Sequence, residues 1–566
     1  MKRHRLMLTA LSLISVLAVT GCSAQQAAPA GSASGAAAET GAAAEVSAPP
    51  ETETAVETAD APAAAQSDSQ SSAAGGTSAA GGNGAPDAFA AAGGNGVQEA
   101  FAVENAKLET ETAVSGDLTV RAALGEGNVK SVTYDALDLE PVYDSSAALD
   151  IRFDGDKVDV ESSDARVVRV DGGTVTLAAG GIYRLRGKLD AGHLRLEGGK
   201  KDRTLLVLDG VNITSIDTPV IYAPDGVRVL IRLGEGSMNV LRDGGDYAIA
   251  PDGDDPDAVI YSKGSVSFTG GGSLKISAKN GSGIHSKDVL TLLSGTYLIN
   301  ADKNALKGKD AVIVRGGEYH FFTGNDAVKS TNKKDEDAGF IWIEDGFLDV
   351  NSGDKGISAQ NALVIAGGSV RVDAVAEALE GKTVDILGGR LDLKAGDDGI
   401  NASSDYETHE QKKNYQKGVY IRLAGGVTTI DAPADGIDSN GNLYLDGGAR
   451  YLSGPSDDYN AILDYSGSAK LTGGTVIASG SSGMLQDLGG DTEQNYLIVH
   501  FGSVKAGGTK LSVLDEAGKE LGAFTPARSY TAAIITMKGL EAGARCTVTA
   551  GDEKIEAKIA EGASIY

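Results

Sequence analysis

An all-β chain, built as a right-handed parallel β-helix with β caps and preceded by a disordered tether, is the fold that three features predict. First, short runs of Val, Ile, Leu, Tyr and Phe alternate with Gly-Gly, Asp-Gly and Asn-Gly turns, and no amphipathic stretch of helical length interrupts them. Second, a small-aliphatic pair recurs at Gly283-Ile284, Ala305-Leu306, Ala327-Val328, Gly356-Ile357, Ala378-Leu379, Gly399-Ile400 and Gly436-Ile437, at spacings of 22, 22, 29, 22, 21 and 37 residues. Third, no Lys or Arg occurs from Ser23 to residue 106, where Ala, Gly, Ser, Glu and Thr dominate.

The N-terminus comes first. Lys2, Arg3 and Arg5 precede an apolar run from Leu6 to Val19, the arrangement of a secretory signal. The run is too short to cross a hydrocarbon core of about 30 Å comfortably. It ends in Val19-Thr20-Gly21-Cys22, which resembles the bacterial lipobox. Residues 1–21 are therefore expected to be a signal peptide, with Cys22 the lipidation site. The chain is then held on the outer face of the bacterial cell membrane. Residues 22–130 follow as a linker, because a segment without an apolar face cannot offset the entropy of ordering.

The repeats come next. A period near 22 with about three short strands is one coil of a β-helix. Leucine-rich repeats share the length but need an L-x-x-L-x-L frame, and a propeller blade needs about 40 residues. Residues 131–490 are assigned to the coils, with 131–256 forming the less regular first ones. Residues 491–566, with the turn Asp515-Glu516-Ala517-Gly518, form a C-terminal β cap, since the ends of a stack must be closed.

Composition narrows the function. Formal net charge is −28, which excludes a nucleic-acid partner because a phosphate backbone would be repelled. Two cysteines cannot build a disulfide scaffold. No G-x-S-x-G elbow occurs, and the six His have no metal-binding spacing.

The stretch from Ala434-Asp435-Gly436-Ile437-Asp438-Ser439-Asn440-Gly441 to Asp446-Gly447-Gly448 carries a resemblance. So do Ala461-Ile462-Leu463-Asp464-Tyr465-Ser466-Gly467, Ser481-Ser482-Gly483-Met484 and Gly283-Ile284-His285-Ser286-Lys287-Asp288. They are similar to the bacterial calcium-binding, polysaccharide-lyase-like parallel β-helix proteins that bind cellulose and acidic sugars. The resemblance covers roughly residues 145–566. It implies a β-helix, bound calcium and carbohydrate binding without established catalysis. The family's Asp-Asp-Gly-Ile survives intact only at Asp397-Asp398-Gly399-Ile400.

Read from the residues themselves, the position two before the buried aliphatic carries Asn304, Asp326, Lys355, Glu377, Asp398 and Asp435. In a β-helix such positions stack at about 4.8 Å, close enough for carboxylates of adjacent coils to share one Ca²⁺. The richest cluster, Asp397, Asp398 and Asn401 with Asp435, Asp438 and Asn440, is the candidate metal site. Hard oxygen donors favour calcium over zinc or copper. Any one of these residues could equally serve a turn.

The two long spacings contain Thr331–Asp337 and Tyr406–Tyr415. These insertions should flank a groove with Lys329, Lys333, Tyr406, Lys412 and Tyr415 as sugar ligands. Tyr319-His320-Phe321-Phe322 and Trp342 lie within strands, where packing is the expected role.

The expectation is a monomeric surface lipoprotein binding polysaccharide, either an acidic sugar such as polygalacturonate or cellulose. A calcium-dependent uronate lyase is the alternative, with Lys307, Lys309 and Lys329 as candidate bases. A surface adhesin or structural spacer is the second alternative.

Overall fold

The computed structural model describes residues 105–566 apart from 106, 140–142, 162–165, 179, 245–246, 248–254, 405–414 and 490–491. All of them belong to the second of two units of the chain, Pro86–Tyr566. Cys22 and the tether up to residue 104 lie outside the described residues.

Among the described residues helix is almost absent. Each repeat contributes three strands, and each strand pairs in parallel with its counterpart one repeat on: Leu306 with Val328, Val312 with Ile341, Tyr319 with Leu348. The long parallel sheets that result share one apolar core. Ile284, Leu306, Val328, Ile357, Leu379, Ile400, Ile437 and Leu463 form one column of it, each at most 1% exposed. Each such side chain contributes about 1.5–3 kcal/mol by leaving water.

The Gly-Gly turns have a physical reason. Gly368, Gly389, Gly426 and Gly448 all have φ between +73° and +86°, where other residues are strained. A Cβ at Gly389 would lie 2.7 Å from the carbonyl oxygen of Gly368, and one at Gly426 would lie 2.4 Å from that of Gly389. The turns stack so closely that only glycine fits.

Both ends of the stack are closed by antiparallel pairs, which protect the edge strands. At the start, Ala148–Gly155 pairs with Lys157–Val160, and Val168–Asp171 with Thr174–Ala178. At the end, Thr475–Gly480 pairs antiparallel with Tyr530–Thr536. A four-stranded antiparallel sheet of Leu511–Asp515, Glu520–Phe524, Arg545–Ala550 and Glu553–Lys558 completes the C-terminal region. Its core includes Ala449, Tyr451 and Ile477 of the last coils and the free Cys546.

Among the described residues, a cation also enters the interior. Arg450 is in register with Thr428 and Val476, in the inward row that Leu391 and Val370 continue. Its Nη1 donates to the carbonyls of Gly426 and Ala449 at 2.9 Å, and its Nη2 to that of Gly425 at 2.6 Å.

The linker expected to run to residue 130 is corrected by the structure. Glu109–Thr112, Leu118–Ala123 and Val129–Tyr134 form a three-stranded antiparallel sheet, and residue 130 falls inside it. The sheet lies as a strap across one face of the stack. There Val120, Ala122, Leu124, Val132 and Tyr134 pack on Ile313, Trp342, Val364 and Leu387. Trp342 is fully buried beneath it.

Polar ties hold the strap along its length. Gly125 N–H donates to Asp385 Oδ1 at 2.9 Å, and Asn442 Nδ2 donates to Glu126 Oε1 at 2.8 Å. Lys130 sits 4.0 Å from the Phe340 ring centre and donates to Asp337 O. Tyr134 donates to Glu344 at 2.7 Å, and Asp135 holds Arg203 and Arg228. Gly125→Ala would put a Cβ 2.4 Å from Cε2 of Tyr420, whose hydroxyl donates to Asp385. It should cost roughly 1–3 kcal/mol of overpacking, read by hydrogen exchange as selective loss of protection over 109–134. Unchanged protection there would refute the tie.

Candidate metal centre and its ladder

The shortest strands carry the chemistry. In each, a fully buried aliphatic of the column from Leu194 to Leu463 points into the core and the residue after it points out, because side chains alternate. In Cα register the outward residues are Arg195, Tyr222, Tyr261, His285, Lys307, Lys329, Ser358, Glu380, Asn401, Asp438 and Asp464. One face is therefore graded, aromatic and basic over its early coils and acidic over its late ones.

At the acidic end this row meets the turn row. Carboxylate oxygens of Asp398, Asp435 and Asp438, one from each, lie within 4.8 Å of one another, and all three residues are half-buried. Asp398 Oδ1 accepts Asp435 N–H at 2.9 Å, and Asp435 Oδ1 accepts Ala461 N–H at 2.5 Å. These bonds aim the carboxylates and leave oxygens over. Asn401 Oδ1, in the ladder beside Asp438, is buried and has no hydrogen-bond partner, an arrangement that normally costs about 1–3 kcal/mol.

Burial, then repulsion from Asp438 and Asp435, pushes Asp398 up to about 8. Burial and the neighbouring Asp435 and Asp464 push Asp438 up to about 7, and burial raises Asp435 to about 6. Carboxylates raised by crowding are relieved by a cation. Three oxygen donors with an orphaned amide oxygen in the neighbouring ladder position fit a hard divalent ion such as Ca²⁺.

Of the six expected ligands, the structure brings together Asp398, Asp435 and Asp438, with Asn401 next to Asp438 in the ladder. Asp397 is exposed and outside the trio. Asn440 lies past the strand end, where its backbone bonds Ala402 and Gln416. Asp464 escaped the sequence reading. It occupies the next outward position, and the match of Leu463 to Ile437 was the signal for it.

The basic end is internally neutralised. Lys307 Nζ lies 2.8 Å from Asp257 Oδ2, and His285 Nδ1 contacts the other oxygen. Burial opposes ionisation of Asp257, but the His285 and Lys307 partners overcome it and hold its carboxyl well below the usual range. Lys329 lies 2.7 Å from Asp326, and Lys309 lies 3.2 Å from Asp310.

The expected sugar groove between the two insertions is not formed by the described residues. The first insertion folds onto the body, where Asn361 Nδ2 donates to the carbonyls of Asn332, Asp335 and Ala338. Lys329 and Lys333 belong to the coil of Val328, whereas half-exposed Tyr415 packs beside Gly467. Those coils are four to five rungs apart, roughly 20 Å. Tyr406 and Lys412 lie outside the described residues.

Comparison with known proteins gives the family. Residues 171–374 and 355–563 match the family described as carbohydrate-binding domain-containing protein. A protein of that description from Acetivibrio thermocellus is 31% identical over 223 residues, which is 39% of this chain and 77% of the relative. The solved structure of a polysaccharide lyase-like protein from C. thermocellum, a gadolinium derivative, is 26% identical. It covers 49% of this chain and 97% of that chain, with a TM-score of 0.39.

Proposed function

The chain belongs to the carbohydrate-binding domain-containing proteins, and from that premise we propose a surface lipoprotein, lipid-anchored at Cys22, that binds acidic polysaccharide through calcium. In this reading the stacked coils are a right-handed parallel β-helix, the hand that parallel crossovers take almost without exception. Calcium is held by Asp398, Asp435 and Asp438, with Asn401 Oδ1 beside it.

The observation that carries the proposal is the convergence of three carboxylates in a chain of net charge −28. A polyuronate is itself a polyanion and would be repelled by this surface. A bound divalent ion reverses the local sign and offers its remaining coordination positions to a sugar carboxylate. The lysines at the other end cannot supply that attraction alone, because Lys307, Lys309 and Lys329 are each paired with an aspartate.

The same pairs favour binding over lyase chemistry. Each of the three candidate bases already holds an aspartate oxygen, at 2.8, 3.2 and 2.7 Å for Lys307, Lys309 and Lys329, whereas a base has to stand within reach of the proton that it abstracts.

The test is a titration of the full chain with polygalacturonate, with Ca²⁺ and with EDTA, following binding and the ultraviolet absorbance of unsaturated uronides together. The expected result is calcium-dependent binding without growth of absorbance, lost in the double variant Asp398→Asn, Asp438→Asn. Growing absorbance would make the protein a lyase. No binding in calcium would overturn the proposal and leave a spacer or adhesin.

A further inference from the structure

The strap closes over a carboxylate. Asp385 lies in the strand Thr383–Ile386, in register with Val364 on one side and Arg422 on the other, and Val364 and Leu387 beside it pack against the strap. Its relative exposure is 0%. Oδ1 accepts Gly125 N–H of the strap and Oδ2 accepts the Tyr420 hydroxyl, both at 2.9 Å.

Both of those donors are neutral. The nearest cation, Arg422, has Nη1 4.0 Å from Oδ1 and is committed elsewhere. Its Nε lies 2.7 Å from Asp446 Oδ2, and its Nη1 donates to Ala123 O of the strap at 3.0 Å. Asp446 adds a like charge, whereas Glu126 of the strap turns to Asn442 and Tyr444. A carboxylate enclosed in this way, with no cation in hydrogen-bond contact, is costlier to bury than the neutral acid. With the strap away, the same side chain would meet water.

We propose that docking of the strap takes up a proton at Asp385. The strap is then a pH-sensitive cover, which loosens as the medium turns alkaline and bares the apolar strip of Ile313, Trp342, Val364 and Leu387. Burial, opposed by the Gly125 and Tyr420 bonds, pushes the docked carboxyl up to about 6, against about 3.9 for an exposed aspartate. Because the docked value is the raised one, the stabilisation is full below about 4 and is lost as pH climbs through about 6. The strap brings no histidine, since none occurs from 105 to 139. Burial works against ionisation of Asp135, but the Arg203 bond and Leu137 N–H outweigh it and hold its carboxyl below the usual range, so it is already charged in this window. The inference needs neither the metal nor the sugar.

The experiment is amide hydrogen exchange of the full chain at pH 5 and pH 8, corrected for the intrinsic rate at each. Protection over 109–134 should fall about tenfold from pH 5 to pH 8, the ratio that values of about 3.9 and 6 give. Trp342 is the single tryptophan of the chain and is buried beneath the strap, so its emission should report release at lower urea at pH 8 than at pH 5. Asp385→Asn keeps an acceptor for Gly125 N–H and cannot ionise. It should abolish the dependence on pH, which a merely structural role would leave in place. Tyr420→Phe removes a donor to the charged form and should move the midpoint to higher pH. The double variant Asp398→Asn, Asp438→Asn should keep the strap's slope, which separates this device from the metal centre. Equal protection of the wild-type strap at pH 5 and pH 8, or an unchanged slope in Asp385→Asn, would overturn the proposal.

Discussion

Chelator-treated protein should melt at progressively lower temperature as pH rises from about 4 to about 8, and calcium should reverse the decline. The cause is the trio of Asp398, Asp435 and Asp438, with folded-state values raised to about 8, 6 and 7 against about 3.9 in an unfolded chain. A raised value means that the folded state keeps protons which the unfolded state has released. The associated stability is fully present below the unfolded value and is lost as pH climbs through the folded ones. Buried Asp385, raised to about 6, adds a smaller contribution of the same sign.

Calcium binds the ionised trio, so its benefit is largest at the alkaline end. At a concentration one hundred times its Kd it should add about 2.7 kcal/mol. Scanning calorimetry across this range, with EDTA and with Ca²⁺, measures both slopes. Asp398→Asn with Asp438→Asn should flatten the metal-free slope and remove the calcium gain. A metal-free profile that rises with pH, or calcium without effect at pH 8, would refute the site.

Arg450→Ala should be the most destabilising single change in the interior, at roughly 3–5 kcal/mol. It would remove three hydrogen bonds to the stacked turn carbonyls of Gly425, Gly426 and Ala449 and leave a void in a filled column. Arg450→Met should cost clearly less. It keeps most of the volume and no longer buries a cation that has no carboxylate partner. Urea denaturation ranks the two, and an equal loss for both would show that the hydrogen bonds, not the packing, dominate.

The coils were legible because their determinants are local and periodic. The Gly-Gly turns and aliphatic pairs announce themselves every 22 residues, and parallel pairing brings like positions together. Asp398, Asp435 and Asp438 could be found for that reason, each having a fixed offset from a buried Ile. Asp464 was missed because its coil lacks the small residue directly before Leu463.

Arg450 was illegible, since alternation alone places a charged residue outside, and its carbonyl partners belong to a turn formed by stacking. The strap was hidden by its setting. Val120, Ala122, Leu124, Val132 and Tyr134 alternate as a strand pair should, but they follow a long Ala/Gly-rich stretch, and the face that buries them is more than 170 residues further along the chain. Phe322, 51% exposed, was misread because the neighbouring Tyr319 and Phe321 do pack, and only the register separates inward from outward.

The strap also decides how the molecule bears tension. Asn105 docks at Gly389, and from Gly125 at Asp385 the chain runs back along the stack, past Phe340 and Glu344, to Arg203 and Arg228. Only then does it enter the first coil at Ala148. A pull arriving from the N-terminal side must release these contacts one after another before any force reaches the first hydrogen-bonded coil. The strap is thus a set of fuses in the force path, each able to break and re-form while the coils stay intact. Under load the strap would yield first and re-form, and the coils would not unfold.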